Sequence, residues 1–266
     1  MKLETIHQQV LELTRSTGQW IKNERVNFSQ SSVELKGLHN YVTYVDKQAE
    51  EKLVEGLKAI LPEAGFIAEE GTASYKGEHY NWIIDPIDGT TNFIHGIPIF
   101  SISIALQEDD KTILGVVYEI NADEMFHSHK GIPAYLNETE IRVTPQTDHQ
   151  LSLLATGFPY HDYDLIDQYL GLLKHFMETT SGLRRLGSAA VDLAYVACGR
   201  MDGFFEYGLN PWDVAGGAFL VQQAGGQVSD WQNGNDYLFG EQILASNGHL
   251  QAYYLDSIQQ FFPVEK

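Results

Sequence analysis

The sequence predicts a two-part α/β protein: an α+β half built on a mixed, largely antiparallel sheet, followed by an α/β half. Three observations carry this. Helical periodicity marks residues 4–22 and 44–61, either side of a polar segment at 27–42. Runs rich in Ile, Val and Tyr with strand character cluster between 65 and 119. Beyond 150, helical and strand patterns alternate. At 266 residues the chain is long enough for two joined halves, each with its own core.

Residues 4–22 place Ile6, Val10, Leu13 and Ile21 near helical spacing, so an amphipathic helix is expected there. Residues 27–42, with Ser29-Gln30-Ser31-Ser32 and Gly37, predict a loop or short hairpin. A second helix is expected over 44–61, with Leu53, Val54, Leu57 and Leu61 on one side and Pro62 as its stop. Gly65-Phe66-Ile67-Ala68 then reads as a strand running into Glu69-Glu70, and Tyr80 to Ile84 as one running into Asp85. Residues 99–107 and 112–119 read as neighbouring strands of one sheet. His127 and His129 alternate on a further strand as a face pair with no partner evident. The polar stretch Thr144-Pro145-Gln146-Thr147-Asp148-His149 marks the boundary between 1–145 and 146–266. Past it come a strand near 151–155, helices at 164–177 and 188–198, and a strand at 202–206. A helix at 211–224, a strand at 242–246 and a terminal helix complete the pattern.

Composition narrows the function. Lys and Arg number 17 against 36 Asp and Glu, a formal net charge of −19. Such a field repels nucleic acid and anionic lipid, and no basic stripe offsets it. It also repels a small phosphate, unless bound cations reverse it locally. No stretch approaches a membrane span, the N-terminus lacks an apolar signal core, and the single Cys198 rules out an internal disulfide, so a cytoplasmic enzyme is expected. Cys198 follows the apolar run Ala189 to Ala197 and reads as core packing. The ten histidines show no zinc-type spacing, and His95 reads as packed or surface.

The densest chemical signal is Trp82-Ile83-Ile84-Asp85-Pro86-Ile87-Asp88-Gly89-Thr90-Thr91-Asn92-Phe93. An apolar strand delivers Asp85 to its carboxyl end, Asp88 follows three residues later, and Pro86 can turn the Ile87 carbonyl inward beside both. Hard oxygen ligands of this kind suit Mg²⁺. Asp88 is expected to cap a helix beginning at Gly89-Thr90, whose N–H groups can receive a phosphate. Asp-Pro and Asp-Gly are also ordinary turn formers. Glu69-Glu70 at a strand end is either solvated charge or part of a site. Asn210-Pro211-Trp212-Asp213 has the form of a helix start, where Asp213 is either a first-turn acid or a ligand.

Together these segments resemble the inositol monophosphatase family of metal-dependent, lithium-sensitive phosphatases. The resemblance rests on Asp85-Pro-Ile-Asp-Gly-Thr-Thr-Asn-Phe93, Trp212-Asp-Val-Ala-Gly216 and Phe66-Ile-Ala-Glu-Glu70. Asn40-Tyr-Val-Thr43 running to Asp46, with Lys36 just before it, and Gly187-Ser-Ala-Ala190 add to it. It implies a layered αβαβα sandwich of the inositol monophosphatase and fructose-1,6-bisphosphatase type. It implies two or three Mg²⁺ ions: one on Glu69, Asp85 and the Ile87 carbonyl, one on Asp85, Asp88 and Asp213, and a weaker one mainly on Glu69. One ion would acidify a water and another would stabilise the leaving alkoxide. Thr90 and Asp46 resemble the pair that orients and deprotonates that water. The N–H groups of Gly89 and Thr90 would hold phosphate oxygens, and Lys36 would lie on a basic segment closing over metal and phosphate. Glu206 and the Gly187, Ser188 and Ala189 backbone match positions contacting polyol hydroxyls. From the residues alone, Glu206 is equally a strand-end acid paired with Arg184 or Arg185. The resemblance further implies a homodimer acting on a small phosphorylated polyol or sugar. The leading expectation is myo-inositol 1-phosphate, ahead of fructose 1,6-bisphosphate, NADP(H) or another small phosphate, with a non-catalytic regulatory protein on the same fold as the alternative from another class.

Overall fold

In the computed structural model the described residues are 2–28, 33–37, 40–159 and 163–263, with the backbone alone at 33–37, 40 and 41. The chain opens with α1 (Leu3–Asn27), then the antiparallel hairpin of β1 (Val33–Gly37) and β2 (Asn40–Thr43), then α2 (Tyr44–Ile60). Ile6, Val10 and Ile21 of α1 and Val45, Ala49, Leu53 and Leu57 of α2 are buried, as helical periodicity requires of a helix with one covered face. α1 runs five residues past the expected end because its last turn finds partners. The Tyr44 hydroxyl donates to Glu24 at 2.8 Å, and the Arg25 guanidinium sits 5.7 Å over the Phe93 ring. The Ser29–Ser32 run lies outside the described residues.

Eight strands follow in chain order as β3 (Gly65–Ala68), β4 (Ser74–Tyr75), β5 (Tyr80–Asp88), β6 (Ser101–Glu108), β7 (Lys111–Glu119), β8 (Glu124–His129), β9 (Tyr135–Leu136) and β10 (Thr139–Glu140). They form one sheet in the order β10-β9-β8-β7-β6-β5-β3-β4. Every neighbour pair is antiparallel except β3 and β5, which run parallel. A short helix, α3 (Thr90–His95), leaves the end of β5.

The chain continues with β11 (Leu153–Thr156), α4 (Ile166–Thr179), β12 (Gly182–Arg184), α5 (Ala189–Ala197), β13 (Gly203–Tyr207), α6 (Pro211–Gln223), β14 (Gln227–Ser229), β15 (Gln242–Ser246) and α7 (Gln251–Phe261). Its five strands form a second sheet, β12-β11-β13-β15-β14, in which β11 is parallel to both its neighbours. Five layers result. α1 and α2 cover one face of the large sheet, α5 and α6 fill the space between the sheets, and α4 and α7 cover the far face of the small one. Their middle position explains why α5 and α6 are apolar nearly all round: Ala190, Val191, Leu193, Ala194, Val214, Leu220 and Val221 are all buried. The outer core is aromatic, with Tyr169, Phe176, Phe205, Trp231 and Tyr254 buried together. His127 and His129 are indeed on one face of β8, and their partner is His7 of α1: its ring nitrogen lies 3.1 Å from that of His127, and its ring centre 5.0 Å from that of His129.

Candidate active site

Because β3 and β5 are parallel neighbours with Ala68 opposite Ile84, the residues that follow, Glu69 and Asp85, emerge side by side. In a regular strand Asp85 and Asp88, three residues apart, would point to opposite faces. Opposite β6, however, Asp85 pairs with Ser103 and Asp88 with Ser101, so three steps on β5 match two on its partner. That one-residue bulge turns both carboxylates to one side, and it sits where Pro86 has no N–H to give the ladder. The third acid comes from across the inter-sheet space. Asp213 is in the first turn of α6, whose start is held to β6 by the Ser103 hydroxyl donating to the Trp212 carbonyl at 3.0 Å. Asp213 is itself fixed by the Asn210 N–H at 2.7 Å. One oxygen from each of Asp85, Asp88 and Asp213 falls within 4.8 Å of the other two.

Electrostatics shows that this cluster fits a cation. Asp85 is held well above the ordinary carboxylate range by burial and then by Glu69, Asp88 and Asp213. Burial pushes Asp213 up to about 7, with Asp88 adding to it. Burial also pushes Asp88 up to about 6, against the opposing pull of its hydrogen bonds from Ser188 and Ala190. Crowded carboxylates that outnumber the nearby Arg185 guanidinium suit a hard divalent ion, and an all-oxygen ligand set suits Mg²⁺.

Behind the acids lies Thr90. Its hydroxyl is 2.9 Å from Asp46 Oδ1 and 3.0 Å from the Ile87 carbonyl, so one proton has two acceptors. Asp46 is fully buried at the start of α2, where its other oxygen takes the Thr43 N–H at 2.9 Å and the Thr43 hydroxyl. Burial raises the Asp46 carboxyl, and these hydrogen bonds pull it back. Asp88 does not cap the helix that follows it. Gly89 does, with φ of 97° in the left-handed region that favours glycine. Asp88 instead reaches the N-terminus of α5, accepting from the Ser188 hydroxyl and the Ala190 N–H, each at 2.7 Å. Asn92 fastens the same loop from the other side, donating to the carbonyls of Leu186 at 2.8 Å and Ile99 at 2.7 Å.

These groups enclose a cavity of about 150 Å³. Glu69, Asp85, Ile87, Asp88 and Asp213 line one part of it, Gly89 and Thr90 another, and Gly187, Ser188 and Ala189 a third. Glu206, from the end of β13, closes the far side with Arg185 and Asp192. Burial raises Glu206 well above the usual range, and Asp213 adds to this while Arg185 opposes it. Asp46 stands behind Thr90 rather than on the wall. The Lys36 side chain lies outside the described residues. Sequence reasoning missed Asp192 and Gly157 on the wall, and Glu50 beneath it. Glu50, buried on α2, accepts the N–H groups of Glu70 at 2.7 Å and Thr72 at 2.8 Å, bracing the turn that carries Glu69. Its place on the buried face of a helix with apolar neighbours was the signal available.

Comparison with known proteins agrees with this geometry. The model of the inositol monophosphatase family matches residues 2–261. A Pseudomonas aeruginosa protein named Nus factor SuhB is 40% identical over 258 residues, covering 95% of each chain. An inositol-1-monophosphatase of Mesorhizobium japonicum is 40% identical over 229 residues, covering 86% of each. The crystal structure of extragenic suppressor protein suhB from Bartonella henselae superposes with a TM-score of 0.90 at 36% identity, covering 96% of this chain and 99% of that one.

Proposed function

The chain belongs to the inositol monophosphatase family, and on that footing we propose that it hydrolyses the phosphate monoester of a small polyol, with myo-inositol 1-phosphate as substrate. The observation that carries the reading is the triad Asp85, Asp88 and Asp213, gathered from two sheets' worth of chain at one cavity beside the Thr90–Asp46 pair. Glu69, Asp85 and the Ile87 carbonyl would hold one Mg²⁺, and Asp85, Asp88 and Asp213 a second, with Glu69 the main protein ligand of a weaker third. Mg²⁺ held there supplies charge neutralisation for the phosphoryl group and the leaving oxygen, and acidifies a water.

The chain's own residues do the rest. Thr90 orients the attacking water: as its hydroxyl takes a proton from the water, its own proton passes to Asp46 Oδ1, 2.9 Å away. The raised affinity of Asp46 for a proton suits it to be the base. The N–H groups of Gly89 and Thr90 bind phosphate oxygens, Lys36 adds a positive charge from the hairpin, and Glu206 with the Gly187–Ala189 backbone takes the polyol. The site lies where the halves 1–145 and 146–266 meet.

A second reading, a regulatory protein on the same fold, is favoured by the name Nus factor carried by the Pseudomonas aeruginosa relative. One assay separates them: phosphate release from inositol 1-phosphate, fructose 1,6-bisphosphate and NADP⁺, with Mg²⁺ and after chelation, for the protein and its Asp213→Asn variant. Release that prefers inositol 1-phosphate and vanishes with either the metal or the carboxylate is the expected result. Full turnover by Asp213→Asn would remove the two-metal assignment. Strong turnover of another substrate would keep the chemistry and change the substrate. No release by metal-loaded protein would favour the regulatory reading.

A further inference from the structure

Asp192 has no part in the scheme above, yet it is only 1% exposed and lies on the cavity wall. It occupies the first turns of α5, a helix whose other residues are apolar and which packs between two sheets, where a leucine would serve the fold as well. Its Oδ1 has no hydrogen-bond partner. Among the described residues it is the one buried, unpartnered polar side-chain atom on that wall. A buried acceptor left unpaired calls for a donor from outside the protein fold. Its charged neighbours are Glu206, Asp88 and Arg185. Glu206 is equally buried and pressed against Gly157, and among the described residues Arg185 is the sole cation lining the cavity.

We propose that Asp192 is a specificity-determining residue: with Glu206 it forms a two-carboxyl end of the cavity that accepts the hydroxyl groups of a polyol monophosphate and turns away a second phosphate. The inference rests on the phosphatase reading above and deepens it. Hydroxyl groups are donors, and carboxyl oxygens are the matching acceptors. A phosphate placed at that end brings acceptors to acceptors, with one guanidinium to set against two acids. Arg185 also places its guanidinium 5.6 Å over the ring of Phe158, the residue after Gly157 on this wall.

The test compares kcat and KM, with Mg²⁺ present, for inositol 1-phosphate, fructose 1,6-bisphosphate and p-nitrophenyl phosphate, whose alcohol part has no hydroxyls to bind. For Asp192→Leu, kcat/KM on inositol 1-phosphate is expected to fall about 10–100-fold, mainly through KM, the scale of leaving a bound hydroxyl without its acceptor. Turnover of p-nitrophenyl phosphate should stay within about twofold, which also shows that the variant is folded. Asp192→Asn, which keeps the shape and one acceptor oxygen, should lose less, and it carries the comparison if Asp192→Leu does not fold. An equal fall on all three substrates, no change on any, or a wild-type preference for fructose 1,6-bisphosphate overturns the inference while leaving the phosphatase reading intact. Wild-type protein that releases phosphate from none of them overturns both.

Discussion

At the scale of single residues, the site is a set of carboxyls whose roles are separated by what surrounds them. Asp46 is sealed behind Thr90 and away from the acid cluster, so removing it should spare metal binding. Asp46→Asn is expected to lower kcat by about 10²–10⁴, the usual contribution of a positioned base, with Mg²⁺ affinity by calorimetry unchanged. A parallel loss of Mg²⁺ affinity would make Asp46 part of the metal site instead. Gly157 shows how small a change can matter. A Cβ there would collide with the Glu206 carboxylate, which occupies the space a side chain would need. Gly157→Ala should therefore displace Glu206 and raise KM for inositol 1-phosphate by roughly tenfold, with a smaller effect on kcat, as misplacement of a substrate-positioning group does. Identical steady-state constants would show that Glu206 does not touch the polyol.

At the scale of elements, helices and turns hold the ligands in register from behind. Glu50 on α2 reaches the turn after β3 and takes three donors there, the Thr72 hydroxyl at 2.7 Å being the third. Glu50→Gln swaps one acceptor for a donor facing donors. Supports of this kind are worth about 10–100-fold in metal affinity, and titration of Mg²⁺ should show a weakening in that range. The seam between α1 and β8 carries a different load. His7 is buried against His127 and His129, and its ring is pushed down to about 3, by burial first and then by those two rings. Its folded-state value lies below its unfolded one, so below about pH 6.5 the unfolded chain takes the proton and the folded chain does not. His7 therefore costs nothing above that pH and removes stability as pH falls toward 3, by up to about 1.4 kcal/mol per unit. The acid-cluster carboxyls, with raised values, act in the opposite sense, so the effect is read as a difference between proteins. His7→Asn should unfold in urea with a shallower loss of stability between pH 6.5 and 4.5 than the parent. Parallel pH profiles would refute this.

At the scale of the whole molecule, the five layers converge on one cavity because two different sheets end there, and the fold tolerates the gathered charge only at a cost. Mg²⁺ binds the folded arrangement and not the dispersed acids of the unfolded chain, so it should stabilise the protein. At a hundredfold excess over Kd the gain is about 2.7 kcal/mol. The thermal midpoint should rise with Mg²⁺, return on chelation, and rise by less in Asp213→Asn, which keeps Glu69, Asp85 and the Ile87 carbonyl. A midpoint indifferent to Mg²⁺ in the parent protein would mean that the cluster binds it too weakly to matter.

The amino-acid sequence by itself determined the long elements and the chemistry on offer. Helices α2, α5 and α6 and strands β5, β6, β7 and β15 lie within a few residues of where periodicity puts them, because each buries a regular stripe or a continuous apolar run. The strand-end acids and the Asp85 to Phe93 segment were legible because their spacing carries them. What the sequence left out were the two- and three-residue strands β4, β9, β10, β12 and β14, too short for any period to show. It also left out every contact made at long range. Asp88 was expected to cap its own helix but caps α5 a hundred residues away. His127 and His129 lacked a partner until α1 brought His7. Glu50 and Asp192 drew no role from the sequence, because theirs depends on how the layers close over them. A hydrophobic pattern fixes which face of an element is buried, but only the packing of the layers decides which buried polar groups meet. The bulge in β5 and the placing of α6 between the sheets are what bring three scattered aspartates to within 4.8 Å of one another.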